Sequence, residues 1–163
     1  NSLVVYTGSR SGHTHNHAKR LFRNAVEALL PCATECGVTL AIEPMHAGCA
    51  SAWTFLTELD ETLALIQSFE SPQVKLLFDA YHLGHLPNIA DRLPELSPWI
   101  ALVQLGDARV PPCGEQNRCR LGAGTLPLRG AQRRSQRHAA SATGNRSRPR
   151  RVSRYSKRGG ELL

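Results

Sequence analysis

Four short apolar runs constrain this chain more than anything else in it. They are Leu3-Val4-Val5-Tyr6, Thr39-Leu40-Ala41-Ile42, Val74-Lys75-Leu76-Leu77-Phe78 and Ile100-Ala101-Leu102-Val103. Each is too short for a helix and rich in branched side chains, so each reads as a buried strand. Their starts lie 36, 35 and 26 residues apart, which leaves room for a helix in every gap. The first helical pattern covers residues 19–36, with Leu21, Phe22, Ala25, Val26, Leu29 and Leu30 apolar, Pro31 as an expected kink and Gly37 as the stop. The second covers residues 54–69 and is broken by Ser71-Pro72. The third, residues 89–96, is short and interrupted by Pro94. Strands that are continuously apolar and alternate with helices specify a parallel sheet covered on both faces.

The residues that end the strands separate the two parallel architectures. The second run ends in Glu43-Pro44, the third in Asp79, and the fourth in Gln104 with Asp107 just beyond. Polar groups at the carboxyl ends of successive strands are where a (β/α)8 barrel builds its active site. No Gly-x-Gly-x-x-Gly or phosphate-binding loop follows any strand, which weighs against a nucleotide-binding sheet. A complete barrel needs about 250 residues. Four strands, with a fifth expected near Leu126, make only about half of one. The predicted fold is therefore α/β, a partial TIM barrel of about four βα units over residues 1–128. Such a half leaves two unpaired edges, which invite homodimerisation or aggregation. The chain opens on Asn1 rather than Met, so its first residues are expected to continue something longer.

Composition matters where it changes abruptly. The formal charge is +7, yet residues 1–128 carry nine Lys/Arg against twelve Asp/Glu, a balance of −3. Residues 129–163 carry eleven Lys/Arg and one acid, Glu161, a balance of +10. This tail is Arg, Ser, Ala and Gly without apolar periodicity, and is expected to be disordered. Two readings of it compete: a basic arm that binds nucleic acid, or text translated out of frame from about Arg129 onward. No apolar run approaches the roughly 18 residues of a membrane helix, so no membrane association is expected. Five cysteines without a Cys-x-x-Cys fit a reduced, cytoplasmic setting. Cys32 and Cys36, one helical turn apart, read as small residues on one helix face rather than as a soft-metal pair.

Several residues could carry chemistry. Glu43, fixed at a strand end by Pro44, suits a hard metal or acid/base work. Asp79 suits a divalent metal or, more plainly, a helix N-cap. His82, three residues on, suits a ligand or a hydrogen bond to a substrate hydroxyl. His13, His15 and His17 share a face if the segment is extended, whereas only His13 and His17 align if a helix has begun. His13 would then touch substrate at the rim, and zinc binding by the triplet is conceivable. Arg109, Arg118 and Arg120 flank the same rim, where one could grip a phosphate or carboxylate.

Leu40-Ala41-Ile42-Glu43-Pro44, Phe78-Asp79-Ala80-Tyr81-His82 and Val103-Gln104-Leu105-Gly106-Asp107, followed by Gly122-Ala123-Gly124, resemble in order and spacing the sugar phosphate isomerase/epimerase family. That family has the xylose-isomerase-like barrel and counts endonuclease IV as a relative. The resemblance covers about residues 3–128 and implies metal-dependent proton transfer next to the carbonyl of a small sugar or sugar phosphate. It implies metal ligands at Glu43 and Asp79, with Glu43 also catalytic, and substrate contact at His82. Gln104 stands where the family places a ligand histidine, and an amide carbonyl is the weaker donor. No residue matches the family's last Glu. The implied cofactor is a divalent cation: Mn, Mg, Co or Zn. An endonuclease IV-like phosphodiesterase and a non-catalytic barrel fragment are the alternatives.

Overall fold

The computed structural model describes residues 1–50, 52–109 and 117–126. The four apolar runs form β1 (Ser2–Val5), β2 (Thr39–Ile42), β3 (Val74–Asp79) and β4 (Ile100–Gln104). They pair in chain order, β1-β2-β3-β4, and every pairing is parallel. The sheet curls into a four-strand half-barrel, as the spacing predicts. Leu3 faces Leu40, Leu40 faces Val74, and Leu76 faces Ile100. A register shift after Leu76 then sets Asp79 opposite Gln104. The shift matters because it brings two polar strand ends level with each other.

The central strands are buried from Leu40 to Ile42 and from Leu76 to Phe78, under Phe22, Val26, Leu56, Leu63 and Ile66. The outer strands are covered only in part, with Val5 and Ile100 packed against the core. Leu3 on β1 is 55% exposed and Val103 on β4 is 51% exposed. Burying a side chain of that size is worth about 1.5–3 kcal/mol, so both edges carry apolar surface left in water.

Helix α1 (His15–Glu35) starts four residues earlier than the periodicity predicts. The Thr14 side chain caps it by accepting the His17 N–H at 3.3 Å. It turns Ala18, Phe22, Val26 and Ala33 inward and continues through Pro31. Gly37, at φ +62°, then ends it in the left-handed conformation. Two short segments, α2 (Ala47–Ala50) and α4 (Ala80–Leu83), were not evident from periodicity. Helix α3 spans Leu59–Gln67 rather than residues 54–69. Hydroxyl groups explain the difference. Thr7 Oγ1 accepts the Phe55 N–H at 2.9 Å, Thr54 Oγ1 accepts the Leu56 N–H at 3.1 Å, and the two hydroxyls meet at 2.8 Å. Backbone donors satisfied this way have no need of a helix. Helix α5 spans Ile89–Leu96 with Pro94 inside it.

Past β4, β5 (Asp107–Ala108) and β6 (Arg118–Cys119) form a small antiparallel ribbon. The strand expected near Leu126 is not formed among the described residues, where 121–126 are turns and bends. The backbone N–H groups of Gly122, Gly124 and Leu126 turn instead to the Asp107 carboxylate. The tail expectation, disorder over 129–163, falls outside the described residues. Among the described residues no helix is long and apolar enough to cross a membrane.

Candidate functional site

The carboxyl ends of β2 and β3 bring three sequence-predicted residues together. Glu43 follows β2 directly and is 1% exposed, and Asp79 closes β3 with no exposed surface. Asp79 is also the N-cap of α4, its Oδ1 accepting the Tyr81 N–H at 2.8 Å. The tight turn that begins there carries His82 back over the strand ends. One ligand atom each from Glu43, Asp79 and His82 lies within 4.8 Å of the others. His82 Nε2 stands 3.9 Å from Glu43 Oε1.

Burial sets the charge states. It pushes the Glu43 carboxyl up to about 7, aided by the Asp79 charge and opposed by the Tyr6 hydroxyl bond and Arg118. Burial also pushes His82 down to about 4, opposed by Asp79 and aided by Arg118, His46 and His85. His82 is therefore neutral near pH 7. Its Nδ1 faces the His46 backbone N–H across a long 3.4 Å contact. That arrangement assigns the ring proton to Nε2, on the side of Glu43. Glu43 Oε2 is buried with no hydrogen-bond partner, and an orphaned buried oxygen of this kind is costly.

The donors fit a divalent cation. Two carboxylates and an imidazole are hard or borderline ligands, suited to Mn, Mg, Co or Zn. A cation there would supply Glu43 Oε2 with a partner and offset the Glu43–Asp79 repulsion. Gln104, in register beside Asp79, stands at the next strand end.

Arg118 does not stand free at the rim. Its Nη2 donates to Asp79 Oδ2 at 2.8 Å, and its guanidinium lies 4.1 Å from the Tyr81 ring. Arg109 is exposed, and what its segment contributes is a backbone carbonyl that accepts the Thr125 hydroxyl at 3.1 Å. Arg120 is exposed as well. Of the two pairings open to the histidine triplet, His13 with His17 holds, although His13 precedes the start of α1 at His15. His13 and His17 face each other with ring centroids 4.6 Å apart, whereas His15 Nε2 meets Glu61 Oε1 at 2.7 Å. None of the three belongs to the clustered ligands. Cys32 and Cys36 are exposed on one face of α1, with sulfurs 4.0 Å apart.

Two functional side chains escaped the sequence reading. The Tyr6 hydroxyl is close enough to Glu43 to influence its titration, and its own pKa rises through burial and the Glu43 charge. It stands edge-on to Trp53 at 6.1 Å. As the last residue of an apolar run, it met the same strand-end rule that singled out Glu43. Asp107 takes a structural role that its position alone did not reveal. It is 1% exposed, and burial would raise its pKa. The N–H groups of Gly124, Gly122, Ala108 and Leu126 outweigh that and hold it below the usual carboxylate range.

Residues 1–134 match the family model described as the xylose isomerase-like TIM barrel. No curated protein matches. Among solved structures, protein SMc04130 from Sinorhizobium meliloti 1021 is 28% identical with a TM-score of 0.72, covering 83% of this chain and 51% of that one. The 3-keto-D-glucoside 4-epimerase YcjR from E. coli is 14% identical with a TM-score of 0.63, covering 85% and 52%. The IOLI protein, solved with a bound zinc atom, is 16% identical with a TM-score of 0.63, covering 80% and 46%. The chain thus spans about half the length of the structures it matches.

Proposed function

The chain belongs to the xylose isomerase-like TIM barrel family, and from that premise we propose that it is half of a metal-dependent sugar isomerase or epimerase. The observation that carries the reading is the buried cluster of Glu43, Asp79 and His82 at adjoining strand ends. Glu43, Asp79 and His82 would hold the cation with help from the Gln104 carbonyl, and the cation would polarise the oxygens of a sugar carbonyl and its neighbouring hydroxyl. Glu43 moves the proton between adjacent carbons. With no cation beside it the Glu43 carboxyl is poised at about 7, and ligation would hold it ionised, the form that accepts a proton. When not engaged as a ligand, neutral His82 offers its Nε2–H to a substrate oxygen.

Catalysis further requires the barrel to close. The open edges of β1 and β4 accept four more parallel strands, either from a longer chain or from a second copy. An endonuclease IV-like phosphodiesterase fits less well, because among the described residues the cluster holds a single histidine. The test is solvent-deuterium exchange at the carbons flanking the carbonyl of a panel of ketoses and their phosphates, followed by NMR with and without Mn2+. Metal-dependent exchange that disappears in Glu43→Gln is the expected outcome. Exchange that survives in Glu43→Gln would remove the assignment.

A further inference from the structure

We infer that Arg118 is the resident counter-ion of Asp79 and competes with a divalent cation for that carboxylate, so that Arg118 sets the cation affinity of the site. The inference rests on the metal reading above and adds to it a residue that opposes loading.

The geometry is specific. Asp79 is wholly buried, and its Oδ1 is committed to the α4 cap through the Tyr81 N–H at 2.8 Å. The remaining oxygen, Oδ2, receives the Arg118 Nη2 donor, also at 2.8 Å. The oxygen left over from the cap is therefore already engaged with a full positive charge. A seat is built for that guanidinium. One wall is the Tyr81 ring, 4.1 Å from Cζ. Another is Gly106, where an added Cβ would lie 2.5 Å from Arg118 Nη1 and 2.9 Å from Tyr81 Cβ. No other residue type leaves this space open. The ribbon that carries Arg118 is tied to the same tyrosine, since the Tyr81 hydroxyl and Asn117 Oδ1 lie 2.7 Å apart and the Asn117 N–H meets that hydroxyl at 3.2 Å.

The physical need is equally clear. A buried carboxylate without a counter-charge is strongly destabilising, and here Arg118 supplies that charge. A divalent cation would supply it as well, and two cations on one carboxylate repel. Arg118 has the freedom to yield, because 37% of its side chain is exposed and its guanidinium can turn to water once it gives up the Asp79 pair. Cation affinity is then the intrinsic affinity reduced by the strength of the Arg118–Asp79 pair. A hydrogen bond to a charged group of this kind corresponds to about 10- to 100-fold in binding.

The experiment is a Mn2+ titration of the full chain, followed by the loss of the free-ion EPR signal, for wild type, Arg118→Gln and Asp79→Asn. Arg118→Gln is expected to bind Mn2+ about 10- to 100-fold tighter than wild type, and Asp79→Asn to lose binding. The metal-free Arg118→Gln chain should also melt lower than wild type and recover more on Mn2+ addition. Equal or weaker Mn2+ binding by Arg118→Gln overturns the inference while leaving the metal reading intact. Absence of Mn2+ binding in every chain overturns both. Should Arg118→Gln fail to fold, the wild type alone still decides. Saturation with diamagnetic Mg2+ or Zn2+ must shift the Arg118 guanidinium 15N resonances toward those of a solvated arginine, and unchanged resonances at saturation refute competition.

Discussion

Glu43 and His82 carry opposite pH dependences that cancel in the native chain and separate on mutation. Burial raises the Glu43 carboxyl from 4.5 to about 7. The folded state therefore binds a proton that the unfolded state has released. The stability this gives is present below about pH 4.5 and lost as pH rises through about 7, a change of about 3 kcal/mol. Burial lowers His82 from 6.5 to about 4. Its contribution is present above about pH 6.5 and lost as pH falls through about 4, again about 3 kcal/mol. The two groups stand 3.9 Å apart, so their titrations are coupled, and the double variant measures how far the two effects depart from a simple sum. In the wild type they oppose each other between about pH 4.5 and 6.5 and nearly cancel.

The assay is urea unfolding of metal-free wild type, Glu43→Gln, His82→Gln and the double variant from about pH 4 to about pH 8. Only differences from wild type are read, which removes every other titrating group. Glu43→Gln should gain on wild type as pH rises, by about 3 kcal/mol across the range. His82→Gln should gain as pH falls, by a similar amount. The double variant should return close to the wild-type profile. A constant offset in either single variant is uninformative, since Gln alters the Tyr6 and His46 contacts at every pH. Both single variants running parallel to wild type would refute the reasoning, because the two groups would then be solvated enough to titrate normally.

The remaining predictions concern the neighbouring strand ends. Asp107→Asn places an amide donor against backbone N–H groups and should cost about 2–4 kcal/mol by thermal unfolding. That difference should shrink as pH falls through the depressed Asp107 value, where wild type also loses its charge. Gly124→Ala drives a methyl group into the Asp107 carboxylate and the Ala108 carbonyl, and a loss of about 1–3 kcal/mol is expected in the same assay. Gln104→His sets an imidazole in register beside Asp79. It should tighten Mn2+ binding roughly tenfold in a calorimetric titration, and an unchanged affinity would remove Gln104 from the ligand set.

The strands and their order were legible in the sequence, because a buried parallel strand must be continuously apolar and a polar residue marks where burial ends. Glu43, Asp79 and Gln104 could be located by that rule alone. What the sequence concealed depends on contacts between distant segments. The residues 54–58 have helical periodicity, yet Thr7, 47 residues away from Thr54, takes the Phe55 N–H and meets the Thr54 hydroxyl, which takes the Leu56 N–H. Arg118 reads as a rim arginine until the ribbon folds it onto Asp79. Asp107 reads as one more polar residue beyond a strand end until four backbone N–H groups converge on it. The last two are linked. The Asp107 carboxylate ties β5 to residues 122–126, and Arg118 leaves β6 a few residues earlier, paired with Ala108. The Asp107 carboxylate thereby helps to hold in place the guanidinium that pairs with Asp79. The same reasoning predicts that Asp107→Asn, though remote from the cluster, weakens the Arg118–Asp79 pair and raises Mn2+ affinity in the direction of Arg118→Gln. A variant that lost stability with no change in Mn2+ affinity would show the ribbon and the cluster to be energetically separate.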